Sequence, residues 1–301
     1  MRVVIAGGTG FLGRALTRVL EAEGHRVTVL TRRVSGPSQV AWDPARRGGT
    51  WTDTVGQADA VINLAGESIT GERWTPARKQ ALRDSRIGAT SALANAIAAG
   101  DGNQVLLSAS GIGVYGTSEG QTFTEESPAG SDFLADLCVE WERTAMQAAS
   151  RARVVLLRTG VVLGHGGGAL PELARPFKFF VGGPIGSGRQ PVSWIHLDDW
   201  LQMTMWAMSN GSVEGPLNLT APEPVDNAGF AHILGHALHR PSFFPAPAFA
   251  LRLMLGEMAE AAILNGQRVL PAKALALGYT FRYRRLDAAL DALFPVTQTR
   301  P

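Results

Sequence analysis

The sequence predicts an α/β protein: a doubly wound parallel sheet followed by a small C-terminal α+β subdomain. Three observations carry this expectation. Short β-branched runs alternate with helical stretches as far as Leu217-Asn218-Leu219-Thr220, the pattern of a parallel sheet covered on both faces. The first run leads directly into a glycine-rich turn and a helix. Beyond Thr220 the alternation stops, and Pro and Phe cluster in PSFFPAPAF at 241–249. The 301 residues, 45% apolar and 18% charged, suffice for a sizeable core and are too hydrophobic for a disordered chain.

Arg2–Ala6 (RVVIA) reads as a buried strand. Leu12, Ala15, Leu16, Val19 and Leu20 recur at helical spacing until Gly24. Between strand and helix stand Gly7, Gly10 and Gly13. The first glycine permits a tight turn, the second lets backbone approach a pyrophosphate, and the third lets helix and strand pack closely. The helix start at Phe11 and Leu12 then offers free N–H groups and a positive dipole end to an anion. His25–Leu30 is a second strand. It ends in Thr31-Arg32-Arg33, and no carboxylate follows before Asp43. A site for NAD wants an acid here for the ribose hydroxyls, whereas a 2′-phosphate wants a cation. The expected cofactor is therefore NADP(H), with Thr31 and Arg32 at its ribose; the alternative is that the arginines only solvate a loop.

Asp59–Ala65 (DAVINLA) is another buried strand, and its end at Leu64, Ala65 and Gly66 is expected to touch the cofactor. A long helix starts near Pro76 and runs to about Ala99. Gln104–Ser108 and Arg153–Arg158 are further strands. Between them DFLADLCVEWERTAMQAA carries an apolar stripe at Leu134, Leu137, Cys138, Trp141, Ala145 and Ala149, with Asp132 as N-cap. Ligands of such sheets bind at the carboxyl ends of the strands. That rule gathers Gly66-Glu67, Ser108–Tyr115 and Thr159–Leu163 around one crevice. LRLMLGEMAEAAIL is expected to form an apolar helix and LDAALDALF a final short one.

GGTGFLG, DAVINLAG, SASGIGVYG, LRTGVVLG and SWIHLDD, in this order, resemble the extended short-chain dehydrogenase/reductase superfamily of the nucleotide-sugar epimerase type. NLAGESITGERWTPARKQALRDSRIGAT and GGPIGSGRQPVSWIHLDDW narrow the resemblance to the subfamily termed epimerase family protein, across essentially the whole chain. It implies a Rossmann fold over residues 1–225, NADP(H) binding, and a C-terminal domain of unknown function over 226–301. Residues 170–195 would contribute to the substrate side. The implied activity is that of an oxidoreductase or epimerase-type enzyme acting on a small carbonyl, an alcohol or a nucleotide-sugar-like substrate.

The resemblance also implies a Tyr-x-x-x-Lys pair on the helix after the serine-bearing strand, and here the chain departs from the pattern. Tyrosines occur only at 115, 279 and 283 and lysines only at 79, 178 and 273, so no such pair exists. Phe133 or Leu134 and Leu137 or Cys138 take the two places. The remaining candidates for acid–base or hydrogen-bonding work are Ser108, Ser110 and Tyr115. Each has a structural alternative: a serine satisfying backbone at a strand end, a tyrosine that only packs. Arg86 is a candidate anion contact. Glu67 and Trp74, after the DAVINLA strand, and Lys178, Gln190, Ser193 and His196, in a polar, glycine-rich connector, are candidate substrate contacts. The other reading is a non-catalytic regulatory protein that senses NADP(H).

Composition excludes other classes. Net charge is +2 and the 28 basic residues are dispersed, so no nucleic-acid face is expected. Cys138 is the only cysteine, and no His or carboxylate set has ligand spacing, so no metal is expected. The first strand meets its glycine turn by residue 7 without an apolar leader, and no apolar run is long enough to span a bilayer. The expectation is a cytoplasmic protein off the membrane, with a homodimer left open.

Overall fold

A computed structural model of the chain describes residues 1–46, 48–100 and 102–295. The expected C-terminal domain, 226–301, therefore runs past the described residues. The chain begins β1 (Arg2–Ala6), α1 (Phe11–Ala22), β2 (Arg26–Thr31), β3 (Gln39–Ala41), α2 (Thr50–Gly56), β4 (Ala60–Asn63), α3 (Pro76–Ala98) and β5 (Gln104–Gly111). It continues through β6 (Thr122–Phe123), α4 (Phe133–Ala145), β7 (Ala152–Thr159), β8 (Val161–Leu163), α5 (Leu170–Lys178), β9 (Pro191–Val192), β10 (Trp194–His196), α6 (Leu197–Ser209) and β11 (Gly215–Leu219). The remainder is β12 (Val225–Asp226), α7 (Asn227–Leu238), α8 (Ala248–Leu255), α9 (Glu257–Ala259), β13 (Arg268–Val269), α10 (Ala272–Ala276) and α11 (Leu286–Leu293).

Seven strands form one parallel sheet in the order β11-β7-β5-β4-β1-β2-β3. The order reverses between β1 and β4, which opens the crevice where such sheets take ligands. This is the Rossmann-type α/β fold expected from the sequence. Alternation along β1 sorts its side chains. Val3 and Ile5 join Leu16 and Leu20 of α1 and Trp200 and Met203 of α6 on one face. Val4 and Ala6 join Trp51 and Val55 of α2 and Ala89, Leu93 and Ile97 of α3 on the other. Both faces are buried, so the strands need continuous apolar runs rather than alternating ones.

Two helix starts match their sequence signals. Thr75 caps α3 by accepting from Arg78 N–H at 3.1 Å, with Pro76 at the first helical position. Asp132 caps α4 by accepting from Ala135 N–H at 2.9 Å. The expected single helix over LRLMLGEMAEAAIL is broken. Gly256, at φ +61°, ends α8; the short α9 follows, and Glu260–Leu264 winds as a π-helical turn. An L side chain rarely adopts that backbone, so the glycine marks a corner that apolar periodicity does not register. The small strands β3 and β13 were likewise invisible as patterns. β13 pairs with β6 and ties the C-terminal region to the segment after β5.

Candidate functional site

The turn after β1 brings Gly7, Gly8, Thr9 and Gly10 to the start of α1. Gly10 N–H donates to Gly7 O at 3.0 Å, closing the turn. A Cβ on Gly7 would lie 2.6 Å from the Leu64 carbonyl, and one on Gly13 would lie 2.3 Å from Gly7 O. These two glycines are therefore required by packing within the protein itself. A Cβ on Gly10 meets only Gly7 O, at 3.3 Å, and otherwise projects into open space. No side chain caps α1 and no acid sits in its first turn, so the N–H groups of Phe11, Leu12 and Gly13 lack a capping acceptor. The Phe11 ring packs away from the turn, under Gly164, Gly167 and Gly168 of the loop after β8.

A groove of about 830 Å³ opens in front of this turn. Gly7, Thr9 and Gly10 form one end. Leu64, Ala65, Gly66 and Glu67 form a second wall, with Ser85 and Ala89 of α3 beside them. Leu30, Thr31, Arg32 and Arg33 form the far end with Trp42 and Pro44. Arg32 and Arg33 are exposed there. The Trp42 indole Nε1 is buried and has no acceptor within the protein. A ligand with a phosphorylated ribose at the arginine end and a pyrophosphate at the helix end suits this donor set. The groove has glycine where a side chain would fill it and N–H and guanidinium donors where an anion needs them.

Asn63 holds the second wall in register. Its amide donates to Thr90 Oγ1 at 2.8 Å, and its oxygen accepts from Ala65 N–H at 3.2 Å. Trp141 Nε1 reaches the same Thr90 hydroxyl at 2.7 Å. Glu67 is fastened to Arg78 by an ion pair. Arg86 lies beneath this wall rather than across the groove. It is buried, donates to Leu82 O at 3.1 Å and Glu67 O at 2.8 Å, and sits 5.2 Å from the Trp141 ring. Burial lowers its pKa. The expected anion contact at Arg86 is thus corrected to a support of the loop after β4.

Of the three segments expected around one crevice, only Gly66-Glu67 lines the groove. Ser108 is fully buried within β5, opposite Asn63 at the end of β4 and 3.5 Å from its amide. Ser110 donates to Glu142 Oε1 at 2.7 Å. Tyr115 is 3% exposed; its hydroxyl donates to Asn218 Oδ1 at 2.7 Å and accepts from Arg158 at 2.9 Å. Arg158 in turn bonds Glu142 through Nε at 2.8 Å and Nη2 at 2.7 Å. Burial raises the Tyr115 pKa, against the pull of the Arg158 cation. Burial opposes the charge of Arg158, but the paired Glu142 carboxylate holds its pKa above the usual value. This closed network occupies two of the three hydroxyls that were candidates for proton transfer.

The helix that would carry a Tyr–Lys pair is α4. Its Phe133, Leu134 and Leu137 pack into an apolar cluster with Leu82, Leu255, Met258 and Trp74. Burial pushes the Cys138 thiol up to about 11. Trp74 is therefore a packing residue: its ring meets Phe133 edge-on at 5.2 Å, and its Nε1 donates to Ile69 O at 2.9 Å. The connector residues are also engaged. Gln190 donates to Ile185 O at 3.0 Å, and Ser193 bridges Gln267 O and Val269 N–H, both at 2.8 Å. His196 caps α6 by accepting from Asp198 N–H at 3.0 Å. Lys178 alone is exposed, at the end of α5. The structure thus does not bring Trp74, Gln190, Ser193 or His196 to the groove. Sequence reading missed Thr9, Trp42, Ser85 and the positioning residues Asn63 and Thr90. The one available signal was Trp42, a lone aromatic in a polar stretch.

The model of the NAD dependent epimerase/dehydratase family matches residues 3–219, and that of a domain of unknown function matches residues 246–293. An Arabidopsis thaliana protein named epimerase family protein SDR39U1 homolog, chloroplastic, is 43% identical over 97% of this chain and 86% of its own length. Epimerase family protein YfhF of Bacillus subtilis is 41% identical over 99% of this chain and 100% of its own. The crystal structure of human epimerase family protein SDR39U1 (isoform 2) with NADPH superposes with a TM-score of 0.89 at 36% identity. That match covers 97% of this chain and 99% of the human one.

Proposed function

The chain belongs to the NAD dependent epimerase/dehydratase family, and from that premise we propose that its glycine-lined groove binds NADP(H) in preference to NAD(H). One observation carries the reading: an uncapped helix start at one end of the groove and Arg32 and Arg33 at the other, with no carboxylate among the groove residues at that end. The structure of the human relative was determined with NADPH. Gly10 leaves room for a pyrophosphate, the N–H groups of Phe11, Leu12 and Gly13 point to it, and Thr31 and Arg32 hold a 2′-phosphorylated ribose. Leu64, Ala65 and Gly66 form the wall along the dinucleotide. A bound nicotinamide supplies hydride chemistry.

The activity that fits this lineage is an oxidoreductase or epimerase-type conversion of a small carbonyl, alcohol or nucleotide-sugar-like substrate. Residues 170–195 and the region from 226 onward form the substrate side. Ser108, Ser110 and Tyr115 are the hydroxyls assigned to proton transfer, but Ser110 and Tyr115 must leave Glu142, Asn218 and Arg158 to move a proton. A second reading, a non-catalytic NADP(H) sensor, is favoured by the apolar packing of Phe133, Leu134 and Leu137, at or beside the places of the acid–base pair. Titrating tryptophan fluorescence with NADPH and with NADH tests the cofactor; equal affinities would remove the preference. Following NADPH absorbance over a panel of carbonyl compounds tests catalysis. Turnover abolished by Tyr115→Phe supports the enzyme, and tight binding without turnover supports the sensor.

A further inference from the structure

Eight of the fourteen large apolar side chains exposed among the described residues fall in two stretches that the chain brings side by side, 179–181 and 243–254: Phe179, Phe180, Val181, Phe243, Phe244, Phe249, Leu253 and Met254. Two chain segments are laced together beside them. Phe244 N–H donates to Gly182 O at 3.1 Å, Ala246 N–H to Pro184 O at 2.9 Å, and Gly186 N–H to Ala246 O at 2.9 Å. α8 follows at once, and no residue of it is buried. Phe249 and Leu253 stand one helical turn apart and are 70% and 75% exposed.

We propose that this face is where two copies of the chain meet in a two-fold symmetric dimer. Size is the first reason. With roughly 200 Å² per aromatic side chain, the exposed fractions amount to on the order of 900 Å² of apolar surface. That exceeds the roughly 300–600 Å² largest patch of an ordinary monomer and reaches the ~800 Å² per partner of a standard interface. Composition is the second. Five of the eight are Phe, an aromatic share typical of the desolvated centre of protein interfaces. Charge is the third. Arg252 is neutralised by Glu260 and Lys79 by Glu257, and Arg240 already lies 4.5 Å from the Phe180 ring. An anionic lipid surface would draw on free cations, and these three are engaged within the chain. Arg175 and Lys178 are exposed in the last turn of α5, beside Phe179, where salt screens like charges on opposed copies.

Sedimentation of the full chain over a wide concentration range tests the proposal. The expected result is a dimer for the wild type and a monomer for the Phe249→Asp, Leu253→Asp double variant, with unchanged circular dichroism and NADPH titration. If the double variant fails to fold, hydroxyl-radical labelling of the wild type decides: Phe249 and Met254 are protected in the concentrated sample and react on dilution. A monomeric wild type overturns the proposal, as does a folded double variant that still dimerises or labelling that is independent of concentration. A monomeric wild type that co-sediments with anionic phospholipid vesicles assigns the face to lipid instead.

Discussion

Arg32 and Tyr115 make opposite predictions about the groove. Arg32 is exposed at its far end and has no salt-bridge partner among the described residues, so its guanidinium is available to a phosphate. A charged hydrogen bond contributes about 1.5–3 kcal/mol, so Arg32→Ala is expected to weaken NADPH binding roughly 10- to 100-fold. NADH binding should hardly change, and fluorescence titration with both dinucleotides checks this. Tyr115 has no such freedom. Tyr115→Phe removes a donor from Asn218 and an acceptor from Arg158, both buried. The expected cost is about 1–3 kcal/mol of stability, read as a lower denaturation midpoint, with NADPH affinity unchanged. Tyr115 could be found in the sequence as a tyrosine after a strand; its partners could not. Asn218 is 103 positions away and Arg158 is 43.

The start of α6 carries a pH response. His196 is buried, lies 4.0 Å from the Tyr283 ring, and uses Nδ1 as an acceptor for Asp198 N–H. A protonated Nδ1 cannot accept, so the cap requires the neutral ring. Burial lowers the pKa of His196 below 6.5; Arg282 and His165 push the same way, and Asp198 opposes them. A histidine whose native pKa is depressed binds fewer protons in the folded than in the unfolded chain. Its stability contribution is complete above about pH 6.5 and declines as the pH falls towards the native value. Thermal unfolding across this window should show a falling midpoint on acidification, and His196→Asn, which keeps a capping acceptor, should flatten that slope. The sequence places His196 among the substrate contacts, and only the folded chain shows it as the cap of α6. The broken helix after Ala248 belongs here too. Its apolar periodicity is continuous through Gly256, and only the backbone turn at that glycine separates an outward face from the inward Met258.

The C-terminal region acts as a clamp on the sheet domain. β13 pairs with β6, Lys273 N–H donates to Glu125 Oε2 at 3.1 Å, and Met258 packs on Trp74, Leu82 and Leu137. Removing residues 246–301 would uncover that cluster and leave the β6 edge unpaired. The shortened chain is expected to lose cooperative unfolding or to aggregate, which calorimetry and soluble yield would show. A shortened chain with the wild-type midpoint would contradict this coupling.

The parallel sheet, the glycine turn, the arginine-terminated second strand and the missing Tyr-x-x-x-Lys pair were all readable from the order of residues. Each depends on neighbours within a few positions, where backbone sterics, helical spacing and simple counting suffice. The direction of Trp74, Gln190, Ser193 and His196, the closed circuit through Ser110, Glu142, Arg158 and Tyr115, and the apolar face around α8 emerged only with the folded chain. These features depend on which segments pack against one another, and burial between segments a hundred residues apart decides whether a polar side chain is free for a ligand or already bonded.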